Sequence, residues 1–332
     1  MSVTIKQIAK LAGVAPTTVS LVMKDSKKVG EDTKERVRRI MRENDYFPNQ
    51  SGRLLKQGRT DTIAVLTTYF HGIFKMEFMN GVENAAYNSK YKLGHYFAGA
   101  GEVSQKCKEI LLGRMADCLI ILAEKIEPEL IEKLRGQGKH VVLVEDTCEG
   151  YPGITFDNKK ASNEALYYLS STGRRKIALT IADLAKYGKY DFVKGRVEGY
   201  KETLSELGLS YSRLYEIPSY SFEHGESVYD MYASDTEKPD AIFFASGDLT
   251  AAAFMKKAVL NGVKIPSDLA VMGFDDSVIA PVTTPALTSV KQPAHEIGKA
   301  AFEMASALLN GDKESLGKII RVAPAITIRE SA

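Results

Sequence analysis

Apolar residues recur at helical spacing from Ile5 to Ala12, stop at Gly13, and resume from Pro16 to Met23. Gly13 supplies the backbone freedom of a tight turn. Pro16 falls where a helix accepts proline, in its first turn. Two short helices joined this way form a helix-turn-helix. A third helix is expected over 33–43, with Val37, Ile40 and Met41 closing a small core. From Thr62 the pattern changes to short β-branched runs alternating with amphipathic stretches. TIAVLTT, YKLGHYF, DCLIILA, KHVVLVE and GITFD read as strands, with helices near 74–89, 104–113 and 127–136. After Asn158 the rhythm restarts with RRKIALTIA, RLYEIP, DAIFFAS and LAVMGF, and helices near 191–207, 223–233 and 248–261. Alternation of this kind predicts parallel sheets covered by helices, and two successive runs predict two similar lobes.

Charge divides the chain in the same place. Residues 1–60 hold 13 Lys or Arg against 6 Asp or Glu, whereas the remainder holds 31 against 36. A basic head on a mildly acidic body suggests a polyanion-binding module joined to a second function. The third helix is read as turning a basic face outward, with Lys34, Arg36, Arg38, Arg39 and Arg42. A helix-turn-helix puts its second helix into the major groove, where N-terminal side chains reach base edges. A length of 332 residues suits about two domains, and 44% hydrophobic content allows a core of normal size. The three cysteines form no C-x-x-C, which argues against a disulfide framework or zinc site and fits a reducing compartment. Lys6 and Lys10 interrupt any apolar signal core, and CLIILA is too short to span a bilayer. A cytoplasmic protein without membrane contact is expected.

Motifs for catalysis are missing from the sequence. FAGAGEVS holds G-x-G after a strand but lacks the third glycine of a dinucleotide fingerprint, so a tight turn is the better reading. There is no G-x-x-x-x-G-K-[ST], no G-x-S-x-G, and no H-x-x-x-H among the five histidines. Asp275 and Asp276 are adjacent at a strand end, where neighbouring side chains point apart. No enzyme, cofactor or metal is expected. Ligands of open α/β sheets sit beyond the carboxyl ends of strands. There stand Tyr69, Phe70 and His71, then Glu145 and Asp146, then Asp248, then Asp275. Arg196 lies early on a helix, and Phe222 is read in a loop before the next one. Carboxylates with an arginine fork suit hydroxyl-rich ligands, and aromatic faces suit a sugar ring or a base. Caps, ion pairs and core packing compete with these readings, and Asp248 could simply cap its helix.

The blocks TIKQIAKLAGV at 4–14, TVS at 18–20, Thr33 with Arg36 and Val37, and YFPN at 46–49 resemble the lactose-repressor and galactose-repressor family of transcription regulators. Asp157 with Asn158, RVEGY at 196–200, Asp248, GFDD at 273–276 and PALTSVKQP at 285–293 continue the resemblance through the chain. The resemblance implies a helix-turn-helix headpiece over 1–48, a hinge over 49–61, and a two-lobed body of periplasmic-binding-protein type over 62–332. Lobe one would hold about 62–157 plus 291–322, and lobe two about 158–290 plus 323–330. It puts Pro16, Thr17 and Leu21 on bases, and Thr4, Ser20, Thr33 and Asn49 on the DNA backbone. Ile5 and Lys6 beside Thr4, and Lys24 after the second helix, complete that set. Leu55 holds the place of a hinge leucine that wedges into the minor groove. Arg196, Asp248 and Asp275 fall on effector positions; Tyr69, His71, Phe74 and Phe222 join them from the reading of the residues themselves.

Several residues depart from the family pattern. Ala15 replaces the usual Ser before the second helix, Leu21 an Arg, and Lys24 an Asn. Pro16 and Leu21 can offer apolar contact to a thymine methyl but no bidentate bond to guanine. Gly52 replaces an alanine, at about 1 kcal/mol of helix stability. GIFK at 72–75 stands for an Asn-Pro-Phe-Phe run, and Gly247 for an Asn. The expected protein is a homodimeric repressor of a near-palindromic operator, controlled by a small molecule, a sugar or related polar metabolite, between its lobes. A cytosolic solute-binding protein, or a regulator controlled by a protein partner, is the alternative.

Overall fold

The computed structural model describes residues 3–23, 25–46, 58–68, 72–99 and 101–332. The chain forms two compact units, 1–60 and 61–332. In the first, α1 (Ile5–Ala12) opens with a reciprocal cap. The Thr4 hydroxyl accepts from the Gln7 amide, and the Gln7 side chain accepts from the Thr4 amide at 2.7 Å. The helix ends at Gly13 in the left-handed region, at φ 62°, which a side chain adopts only with strain. The next helix, α2 (Pro16–Met23), starts from Ala15, whose carbonyl accepts from Thr18 and Val19. Its methyl group cannot cap the free amides that follow. Ala15→Ser is expected to stabilise the headpiece by about 1 kcal/mol. Slower amide exchange at Val19 and Val22 would register this gain, and unchanged exchange would refute it.

Helix α3 (Glu31–Glu43) begins two residues before the expected Thr33. Ile8, Ala9, Ala12, Val19, Val22, Val29 and Val37 make the headpiece core. The basic outer face needs one correction. Lys34 is buried, 4% exposed, and bonds Glu31 at 2.7 Å and Asp25 at 3.3 Å. It lies one turn before Val37 and so shares its inward face. Arg38 pairs with Asp25 at 2.6 Å, and Arg39 with Glu43 at 3.7 Å.

The second unit contains two six-stranded sheets. The first is built from β1 (Thr62–Thr67), β2 (Lys92–Phe97), β3 (Cys118–Leu122), β4 (His140–Val144), β5 (Gly153–Phe156) and β11 (Ile319–Val322). Its order is β11-β5-β4-β3-β1-β2, all parallel. The second is built from β6 (Ile177–Ala182), β7 (Arg213–Ile217), β8 (Ala241–Phe244), β9 (Ala270–Asp275), β10 (Thr288–Lys291) and β12 (Ala325–Thr327). Its order is β12-β10-β9-β8-β6-β7, with β12 alone antiparallel. Central strands such as CLIIL are buried throughout, as sheets covered on both faces require.

Helices α4 (Ile73–Tyr87) and α12 (Ala294–Leu309) cover one face of the first sheet through Phe78, Met79, Val82, Ile297, Ala301 and Phe302. The other face takes α5 (Val103–Leu112) and α6 (Pro128–Arg135). A methyl group at Gly81 would overlap the His295 carbonyl, and one at Gly298 the Phe78 carbonyl, so α4 and α12 touch backbone to backbone. The second sheet takes α7 (Asn158–Ser171) and α9 (Asp191–Glu206) on one face, and α10 (Phe222–Ser234) and α11 (Asp248–Leu260) on the other. A single turn, α8 (Leu184–Tyr187), lies between β6 and α9. The chain passes between the sheets after β5, after β10 and after β11. Among the described residues no helix is long and apolar enough to cross a membrane.

Candidate functional site

On the headpiece, Pro16 and Thr17 are exposed at the start of α2. Ser20 is half-buried, its hydroxyl donating to the Pro16 carbonyl at 3.2 Å. Leu21 is half-buried against the headpiece core, as is Ile5. Lys6 is exposed and Thr33 half-buried. The Thr4 hydroxyl donates to Gln7 Oε1 at 2.9 Å within the cap. Lys24, Asn49 and Leu55 lie outside the described residues, as do Tyr69 and His71 of the body.

Between the two sheets of the body lies a cleft of about 540 Å³, within the range of small-molecule sites. Its floor is held by Arg196 in the second turn of α9. The guanidinium donates to Asn158 Oδ1 at 2.8 Å and to the Ala245 carbonyl at 2.6 Å. It stacks 3.7 Å from the centre of the Phe274 ring and 5.5 Å from that of Phe192. Nη2 makes no hydrogen bond to a described residue, so one arm of the fork faces the cleft.

Three carboxyl groups line the cleft with this cation. Glu145 accepts from Asn158 at 3.2 Å and Gln292 at 3.1 Å. Burial pushes its carboxyl up to about 7, against the pull of Arg196. Asp248 does not cap α11 with its side chain. Its two oxygens accept from the Ser277 amide and the Ser289 hydroxyl, both at 2.6 Å. Burial raises its carboxyl to about 6. It is 1% exposed and pins the loop after β9 to β10. Asp275 ends β9 at φ 99°, in backbone space that favours glycine. Strain of this kind concentrates at functional sites. Burial, reinforced by Asp248, pushes its carboxyl up to about 8, and it bonds no described residue. Its neighbour Asp276 faces away, paired with Arg329 at 2.7 Å and accepting from Thr327.

Phe74, from the divergent GIFK run, lines the cleft from α4. Phe222 does not line the cleft. Ser221 caps α10, which makes Phe222 the first helical residue, and Lys256 of α11 lies 5.2 Å over its ring. Tyr220 and Ser221 line the cleft in its place. Sequence reasoning also missed a ring series after β6. Tyr187 lies 6.4 Å from Tyr190, and Tyr190 stacks 5.7 Å from Phe192. Glu124 was missed too. It sits just beyond β3, where the strand-end rule applies equally, and accepts from Thr68 at 2.5 Å and Tyr190 at 3.2 Å. Lys75, from the divergent GIFK run, donates to Thr67 Oγ1 at 3.0 Å. Burial lowers its ammonium group to about 8.

A basic helix-turn-helix joined to a two-lobed body with a polar, ring-lined cleft is the construction of a ligand-controlled DNA-binding regulator. Comparison with known proteins agrees. Residues 4–49 match the family of bacterial regulatory proteins of lacI type, and residues 166–332 a periplasmic binding protein-like domain. The HTH-type transcriptional repressor PurR of Vibrio atlanticus (strain LGP32) is 30% identical across 99% of this chain and 98% of its own. A complex of the transcriptional regulator CelR with cellobiose is 25% identical, with a TM-score of 0.71 over 99% of this chain and 100% of that one. The lac repressor dimer bound to operator and the anti-inducer ONPF shares the fold, with a TM-score of 0.86 at 19% identity over 100% and 99% of the two chains. The chain belongs to the lacI family of bacterial regulatory proteins and is a DNA-binding transcriptional regulator.

Proposed function

We propose that the protein acts in the cytoplasm as a homodimeric repressor, and that a small hydroxyl-rich ligand, a sugar or close relative, enters the cleft and changes its affinity for a near-palindromic operator. The free arm of Arg196 and the unbonded carboxyl of Asp275, both lining the cleft, carry this reading, because together they offer a donor fork and an acceptor to vicinal hydroxyl groups. Phe74 and the Tyr187–Tyr190–Phe192 series offer flat apolar faces to the ring. The similar regulator CelR, whose structure is a complex with cellobiose, supports a sugar. Asp248 serves as the strut beneath the site. We assign no catalytic step, since Asp248 and Glu145 are both committed to internal hydrogen bonds.

On the headpiece, Pro16 and Thr17 are the side chains we assign to base edges. Lys6, with Thr4, Ser20, Thr33 and Asn49, is assigned to the backbone, and Lys24 stands beside them. Leu55 is assigned the minor-groove wedge. Control follows if the ligand binds one lobe arrangement better than the other and the operator favours one of the two. The test is a gel shift of the full chain on DNA upstream of its own gene, with and without cellobiose. A specific shift is expected, weakening steeply with salt. Retention of DNA that cellobiose and simple hexoses leave unaltered would count against the ligand assignment. Leu55→Ala is expected to lose at least tenfold in specific binding and little in non-specific binding. Equal loss in both would remove the wedge.

A further inference from the structure

The loop that carries the ring series also fastens the lobes together. It runs from Asp183 to Phe192 in lobe two and meets the loops after β3 and β4 in lobe one at three points. Tyr190 donates its hydroxyl to Glu124 at 3.2 Å. Lys125 pairs with Asp191 at 2.8 Å. The Asp191 amide donates to Asp146 Oδ1 at 3.0 Å. The third contact is the most telling. Asp191 is the first residue of α9, and the cap residue Tyr190 provides no side-chain cap of its own. A carboxylate from the opposite lobe therefore caps the helix that holds Arg196.

Helix N-termini favour a negative charge and need acceptors for their free amides. Asp146 supplies both, but only while the lobes are together. It is 5% exposed, and its second oxygen, Oδ2, is buried without a hydrogen-bond partner. Burial raises its carboxyl above the ordinary range. A fastening that leaves one buried acceptor unmet is held at a cost, which keeps the open arrangement within reach. The Lys125–Asp191 pair is about half exposed on both sides and is weak by itself. The buried cap and the Tyr190–Glu124 bond are the parts that count.

Building on the effector cleft assigned above, we propose that residues 183–192 form a latch that closes the lobes without ligand. Opening the cleft uncaps α9 in the same movement, so the ligand acts on an arrangement that is already shut. Tyr190 and Asp146 are positioning residues: they set the placement of Arg196 through α9 and the loop before it.

Hydrogen exchange of the full chain, with no ligand added, tests this. Asp146→Ala is expected to speed exchange at least tenfold in the first turn of α9, and also in residues 123–127 of lobe one. Tyr190→Phe keeps the ring stack and loses only the hydroxyl, so it should fold if Asp146→Ala does not. It is expected to speed exchange severalfold at 123–127. Faster exchange confined to the first turn of α9 would mean a local cap and no latch. Unaltered exchange at 123–127 in Tyr190→Phe would likewise overturn the proposal. Because no sugar is present, either result stands apart from the cellobiose test of the cleft.

Discussion

Arg196→Met is expected to destabilise the body by about 3–5 kcal/mol, the usual consequence of removing one partner from a buried charged network. Methionine fills much of the volume and keeps an apolar contact with Phe274, so the loss reports charge and hydrogen bonds more than a cavity. Asn158 Oδ1 and the Ala245 carbonyl would each lose a donor. Glu145 and Asp275 would lose the one cation that opposes the rise of their carboxyl groups. Urea denaturation at neutral pH measures the effect, and a midpoint equal to that of the parent protein would contradict it. Arg196→Lys restores the charge but neither the planar fork nor the stack 3.7 Å over Phe274. It is therefore expected to recover less than half of the lost stability. Non-specific DNA binding at low salt should persist in both variants, because the headpiece is a separate compact unit with its own core.

The two-run β/α rhythm was legible because the inner strands β1, β3, β4, β6, β8 and β9 are buried almost throughout and read as mainly apolar runs. The helix-turn-helix was legible from Gly13 and Pro16, whose backbone demands leave few alternatives. Asp248 and Asp275, read from strand ends, and Arg196, read early on its helix, line the cleft. The loop from Asp183 to Phe192 was not legible, since Tyr187, Tyr190 and Phe192 follow neither a helical nor a strand period. Their meaning comes from Glu124, Lys125 and Asp146, which lie far away in sequence. Glu124 was within reach of the strand-end rule, which points to residues after β1, β4, β8 and β9 and holds equally after β3. Phe222 was misplaced by one residue of helix start: with Ser221 as cap, the ring turns from the cleft towards α11. Lys34 shows the opposite failure. Its charge suggested an outward face, while its spacing from Val37 already placed it inward.

Stability is expected to fall as pH rises from about 5 to 8, and Glu145→Gln is expected to remove much of that fall. In the folded chain the Glu145 carboxyl sits at about 7, against an ordinary value of 4.5. Between those values the native state keeps a proton that the unfolded chain has released. The native state then binds more protons, so the free energy of unfolding decreases with pH. Below about pH 4 both states are protonated and the group contributes nothing. Above about pH 7 the penalty is complete, on the order of 3 kcal/mol for this group alone. Asp275 at about 8 and Asp248 at about 6 act in the same direction. Their mutual repulsion spreads the titration across the window, so the three groups lose their protons as a set. Glutamine at position 145 carries no titrating proton, and one of its two polar groups would face a donor from Asn158 or Gln292. The proton that Glu145 keeps at pH 5.5 sets up the same mismatch, so glutamine imitates that form and is spared the ionisation penalty that glutamate meets towards pH 8. Unfolding midpoints of the two proteins should therefore lie close together at pH 5.5 and diverge towards pH 8, where the glutamine variant is the more stable. Parallel profiles would show that Glu145 is ionised across the range, and that Arg196 outweighs burial at the cleft floor.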